Sequence, residues 1–141
     1  MRVLENEEKL DERSKKVLEE LSKLPQDATI HKILSTKNLV ILVAEGNIGR
    51  LIGKNGRNIK QVSEKTGCKI KVLQKTGVLD TVADLVYPAR IISTSKLYLP
   101  EGEKRRIILS KEDKRKLRMK KEEVEKIVKD IYDKDIEIVF E

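Results

Sequence analysis

The residues best placed to do chemistry lie in one stretch, GNIGRLIGKNGRNIKQVSEKTGCKIKV, residues 46–72. It holds five of the seven glycines of the 141-residue chain. Gly53, Lys54, Asn55 and Gly56 form its centre, with Arg50, Arg57 and Lys60 around them. Glycines this dense let a backbone turn sharply or approach a ligand closely, and the surrounding cations suit a phosphate. Two phosphate-binding enzyme loops fail on spacing. A P-loop needs G-x-x-x-x-G-K-[ST], with the hydroxyl on Mg²⁺. Here Gly49 and Gly53 stand one residue too close, and Asn55 follows Lys54 where Ser or Thr is required. The dinucleotide fingerprint G-x-G-x-x-G is absent, because Leu51 stands two positions before Gly53. A clamp on a sugar–phosphate backbone fits better. N–H groups at the start of a helix near residues 56–58 would donate to phosphate oxygens, and Lys54 would add a mobile charge.

The rest of the composition narrows the chemistry. His31 is the one histidine and Cys68 the one cysteine, so an internal disulfide, a His/Cys metal cage and a nucleophile–base pair all lack material. With no paired-carboxylate constellation either, we expect no enzyme and no cofactor. Aromatic residues make up 3% and there is no Trp, which weakens any reading built on bases stacked on aromatic rings. Hydrophobic residues are 38% and charged residues 39%, which implies a modest core under a heavily charged surface. The net charge of +7 is segregated. Residues 25–76 carry +7 and residues 104–121 carry +8, against −5 for residues 122–141. Such blocks point to a polyanion partner. No apolar run approaches the length of a membrane span, and the charged N-terminal residues do not read as a signal peptide. The expected setting is reducing and cytoplasmic, with no membrane.

The elements that must position the loop follow from periodicity. Residues 5–24 read as an amphipathic helix through Leu10, Val17, Leu18, Leu21 and Leu24, ended by Pro25. Residues 28–34 and 39–44 read as strands joined by a 35–38 turn. Ile48, Leu51 and Ile52 mark one short helix, and Ile59 and Val62 a second that stops at Gly67. Residues 68–73 alternate as a strand. After residue 77 the order repeats: a helix ended by Pro88, a strand pair joined by the 100–103 turn, a basic segment, an amphipathic helix through Val124, Ile127, Val128 and Ile131, and a strand over 135–140. At a constant offset of 66, residues 41–43 fall on 107–109, Leu51 on Leu117, Val62 on Val128, Ile70 on Ile136 and Val72 on Ile138. A duplicated unit accounts for this. The expectation is an α+β fold of two αββααβ units, each a small mixed three-stranded sheet covered by helices, over residues 1–76 and 77–141.

Between two helices and before a strand, Ile52-Gly53-Lys54-Asn55-Gly56-Arg57-Asn58-Ile59 matches I-G-x-x-G-x-x-I in full. It resembles the signature of the KH family of single-strand RNA and DNA binders, and the αββααβ order is similar to the type II KH fold. A KH unit, a short helix ending in Leu85-Val86-Tyr87-Pro88-Ala89 and a second KH-like unit together resemble the archaeal NusA-like transcription factors. The likeness implies RNA binding at residues 53–56 and, in that family, contact with RNA polymerase. The second unit departs from it. Met119-Lys120-Lys121-Glu122 stands where the glycine loop would be, so that unit reads as degenerate. Lys114, Arg115, Lys116, Arg118, Lys120 and Lys121 would there extend an electrostatic track for RNA without reading its sequence.

The expected function is single-stranded RNA binding in transcription elongation or termination. A KH-type RNA chaperone or ribosome-associated factor would use the same loop. A protein–protein adaptor on a KH scaffold would not need it.

Overall fold

The computed structural model describes residues 1–37 and 39–141. Asn38, in the expected 35–38 turn, lies outside the described residues. The chain divides into two compact units, Met1–Lys75 and Thr76–Glu141. Both are mixed α+β.

In the first unit, strand β1 (Arg2–Val3) and a 3-10 turn (Glu7–Lys9) precede helix α1 (Glu12–Ser22). Then come β2 (Thr29–Ser35), β3 (Val40–Glu45), α2 (Ile48–Ile52), a 3-10 turn (Lys54–Gly56), α3 (Arg57–Thr66) and β4 (Ile70–Gln74). The sheet runs β1-β2-β3-β4, with β2 and β3 antiparallel and β1/β2 and β3/β4 parallel. It therefore has four strands rather than the expected three. The helix expected from residue 5 begins at Glu12 instead, because the Asp11 carboxylate accepts the Ser14 N–H at 2.9 Å and caps it. The chain ahead of that cap pairs as β1, with the Arg2 and Leu4 N–H groups donating to Ala28 and Ile30 carbonyls at 3.0 and 2.9 Å. The core places Val17, Leu18 and Leu21 of α1, Ile30 and Ile33 of β2, Val40, Leu42 and Ala44 of β3, Leu51 of α2 and Val62 of α3 in one buried cluster. Each large side chain among them contributes roughly 1.5–3 kcal/mol by leaving water. Leu51 and Val62 thus anchor the two helices on either side of the glycine loop.

The second unit runs α4 (Val78–Val86), β5 (Ile91–Leu99), β6 (Gly102–Leu109), a 3-10 helix (Lys111–Lys116), α5 (Lys121–Tyr132) and β7 (Ile136–Phe140). Its sheet is β5-β6-β7, antiparallel then parallel. The Tyr87-Pro88 bond that follows α4 is cis. Val82, Leu85 and Val86 of α4, Ile107 and Leu109 of β6, Val124, Ile127 and Val128 of α5, and Ile136 and Ile138 of β7 are buried. The Tyr132 hydroxyl joins the two helices, 2.7 Å from Thr81 Oγ1 and accepting the Gly77 N–H at 3.1 Å.

The order of the elements from α1 to β4 recurs from α4 to β7, but at an offset that is not constant. Each strand pair carries a bulge at the same place, after Ile30 in β2 and after Ile91 in β5. Ile30 pairs with Ala44 and Ile91 with Leu109, so β6 lies 65 residues after β3. Val40 pairs with Ile70 and Arg105 with Ile136, so β7 lies 66 after β4. One extra residue therefore sits between β6 and β7, and Ile107 corresponds to Leu42 rather than to Ile41. The expected first helix of the loop in this unit is the 3-10 segment Lys111–Lys116. Its sequence KEDKRK supplies no apolar residue to hold a longer helix down.

Candidate nucleic-acid interface

Helix α2 is a single turn. Its N-terminus is capped by Asn47, whose side chain accepts the Arg50 N–H at 3.3 Å. It ends at Gly53, whose N–H donates to the Gly49 carbonyl at 2.8 Å. A five-residue helix has little stability of its own. Here Leu51 is fully buried, and Ile48 packs against the same core. On the other side Ile59 packs against that core from α3, while Ile52 is half-buried.

The loop between the helices has an unusual backbone. Gly53 lies at φ 81°, ψ 166°; Asn55 is left-handed at φ 56°, ψ 29°; Gly56 is left-handed at φ 73°, ψ 16°. Asn tolerates that region better than most residues, and Gly adopts it freely. The two glycines are needed for different reasons. A Cβ on Gly53 would lie 2.8 Å from Asn58 Cγ and 2.9 Å from the Asn58 backbone nitrogen. A Cβ on Gly56 would meet nothing within 4 Å. Gly53 is thus packed against the start of α3, whereas Gly56 stands beside open space. The Gly56 N–H donates to the Gly53 carbonyl at 3.1 Å and closes the turn.

Helix α3 starts directly after the loop. Its N-cap is Gly56, which has no side chain to satisfy the first-turn N–H groups. The Arg57 N–H is taken by the Lys54 carbonyl, while the helix dipole still favours an anion at this end. Lys54, Asn55, Arg57, Arg50 and Lys60 are all exposed. Among the described residues, none of the four cations is tied down in an ion pair. The seven residues expected to form the grip therefore share one short segment, with mobile charges around a fixed backbone turn. Asn58 is the residue that spacing alone did not single out. Its Nδ2 donates to the Arg50 carbonyl at 2.9 Å, across the loop.

The second unit has no such turn. Lys120 is extended at φ −67°, ψ 148° and caps α5, which begins at Lys121. Neither Met119, Lys120, Lys121 nor Glu122 has a positive φ. The six cations expected to extend the track are not equivalent. Lys116 Nζ is 2.9 Å from Oδ1 of Asp113, a carboxylate that is 2% exposed. Lys114 Nζ lies 5.5 Å over the Phe140 ring, and Lys121 Nζ donates to the Ile138 carbonyl at 3.4 Å. Arg115, Arg118 and Lys120 are exposed, with no side-chain partner among the described residues. The Asp113 carboxyl is held below its ordinary range, first by the Lys116 bond and then by the Arg90 N–H, 3.1 Å from Oδ2.

Among the described residues, no three His, Cys, Asp or Glu side chains gather where they would hold a metal ion. Nor is any helix among them long and apolar enough to cross a membrane.

Comparison with known proteins bears on the same segment. The crystal structure of APE1850 superimposes with a TM-score of 0.63, over 89% of this chain and 96% of that one, at 22% identity. That likeness is one of fold. The model of the KH domain matches residues 38–84, which contain β3, α2, the glycine turn, α3 and β4. A KH domain, a module that suggests single-stranded nucleic-acid binding, thus occupies residues 38–84 of this chain.

Proposed function

We propose that the first unit grips single-stranded RNA at residues 53–56 and that the protein acts during transcription elongation or termination. The observation that carries the grip is the turn itself. A left-handed Asn55–Gly56 pair delivers the chain into a helix with no side-chain cap, and around it Arg50, Lys54, Arg57 and Lys60 have no ion-pair partner among the described residues. Such loops hold about four nucleotides. The grip works by position and charge, with no covalent step. Gly56 leaves room for the sugar–phosphate backbone, α3 turns the positive end of its dipole to a phosphate, and Lys54 closes over it. The partly exposed aliphatic side chain of Ile52 provides apolar surface for a base.

The transcription role rests on the tandem arrangement, in which a KH domain is followed by a second αββ-α-β unit, and on the resemblance to the NusA-like factors. Contact with RNA polymerase follows from that resemblance alone. The second unit lends Arg115, Arg118 and Lys120 as a sequence-blind electrostatic contact.

Crosslinking the protein to RNA in cells and sequencing the captured fragments tests the role. Enrichment of nascent transcript segments behind paused or terminating polymerases is expected. Recovery of mature ribosomal RNA alone would replace the transcription role with a ribosomal one.

A further inference from the structure

We infer that Asn58 is a positioning residue that sets the shape of the 53–56 loop before RNA arrives; this rests on the proposed RNA grip. Asn58 sits in the first turn of α3, yet its side chain serves the other helix. The last carbonyls of any helix lack partners within it. In α2, Asn58 Nδ2 supplies one at the Arg50 carbonyl, at 2.9 Å. The acceptor is a carbonyl oxygen, so the amide must present its nitrogen, and the orientation of the side chain follows from chemistry. The same residue forms the floor under Gly53, where a Cβ would meet Asn58 Cγ, N and Nδ2 at 2.8–3.0 Å.

One side chain thus fixes where the loop begins relative to where it ends. The six residues from Arg50 to Asn55 have few other restraints. Helix α2 is one turn long, Lys54 and Asn55 are exposed, and Gly56 has open space beside it. Without the Asn58 bond, the loop keeps its local backbone bonds, such as Gly56 N–H to the Gly53 carbonyl, but the end of α2 is tied to the start of α3 by the packing of the buried Leu51 and the partly buried Ile59. The glycines would then sample the many conformations that glycine allows, and binding would have to select the competent one, which lowers apparent affinity by its population.

The test measures loop order and RNA affinity separately, in the full chain. The variants are Asn58→Ala, Asn58→Leu (which keeps the bulk and loses the donor) and Lys54→Asp/Asn55→Asp. The probe is a fluorescent random-sequence RNA octamer, titrated at several salt concentrations. Both Asn58 variants are expected to bind roughly five- to ten-fold more weakly, the worth of one lost hydrogen bond. The salt slope should stay as in wild type, because the selected bound state keeps its phosphate contacts, whereas Lys54→Asp/Asn55→Asp should flatten it. A merely structural role, which lowers the folded fraction, would instead speed exchange at the β3 amides along with those of the loop. Without RNA, the Gly53 and Gly56 amides should exchange with solvent faster in Asn58→Ala, while amides in β3 keep their protection.

The proposal is overturned if the Asn58 variants match wild type in affinity while Lys54→Asp/Asn55→Asp loses binding. It is equally overturned if loop exchange is unchanged. A wild-type chain that binds no RNA would sink the grip instead, and the exchange measurement would still decide whether Asn58 orders the loop.

Discussion

Gly53 and Gly56 look interchangeable in the motif and are not interchangeable in the structure. Spacing gave both the same task, leaving room for a passing backbone. Gly53 instead yields its room to Asn58, and no local pattern shows this, because it depends on where a residue five positions on comes to lie. An alanine at Gly56 meets open space and suffers only the left-handed backbone, a cost of about 1–2 kcal/mol. An alanine at Gly53 adds a clash to a similar backbone strain, and its cost should exceed that of Gly56→Ala by at least about 1 kcal/mol. Urea unfolding of the two variants checks the order, and equal losses would show that Asn58 yields freely. A second prediction concerns Asp113. Its carboxyl is depressed below the ordinary 3.8 by Lys116 and the Arg90 amide. Its contribution is therefore complete above that value and is lost as pH falls through the lower, folded-state value. The stability gap between wild type and Asp113→Asn should be widest near about pH 6 and shrink as pH drops below about 4. A gap that does not change with pH would mean that the ion pair adds nothing.

At the scale of elements, periodicity located the helices and strands, and side-chain chemistry set their limits. Leu10 fits the apolar stripe of α1 but lies outside the helix, because Asp11 caps it one residue later. Replacing Asp11 with alanine should cost about 1 kcal/mol by urea unfolding, the usual worth of an N-cap. No loss would place the helix start elsewhere. Strand β1 was invisible because two residues carry no period, and its pairing is made by backbone groups. The one-residue slip between the halves was equally hidden. Strand β3 is apolar without a break from Val40 to Ala44, so it offers no alternation to expose a one-residue shift, and the register became definite through the paired bulges after Ile30 and Ile91. The segment Lys111–Lys116 reads only as basic by composition. It is a 3-10 turn with a buried carboxylate at its centre.

At the scale of the molecule, two units share one architecture, and one of them carries the glycine turn. The site was legible because the motif is local: residues 50–60 are contiguous, and their helices are held by their own apolar residues. The track on the second unit was less legible, since which lysines are already engaged depends on Asp113, Phe140 and Ile138 from other elements. Changing Arg115, Arg118 and Lys120 together to glutamine should weaken unrelated RNA sequences by the same factor and flatten the salt dependence. An altered sequence preference would show that this unit reads bases. The most direct test of the grip is a fluorescence-anisotropy titration of single-stranded RNA with wild type and with Lys54→Asp/Asn55→Asp. Both side chains are exposed, so the variant should keep its fold by circular dichroism and lose most of its affinity, because two carboxylates would face phosphate. A folded variant that binds RNA as tightly as wild type would contradict the account.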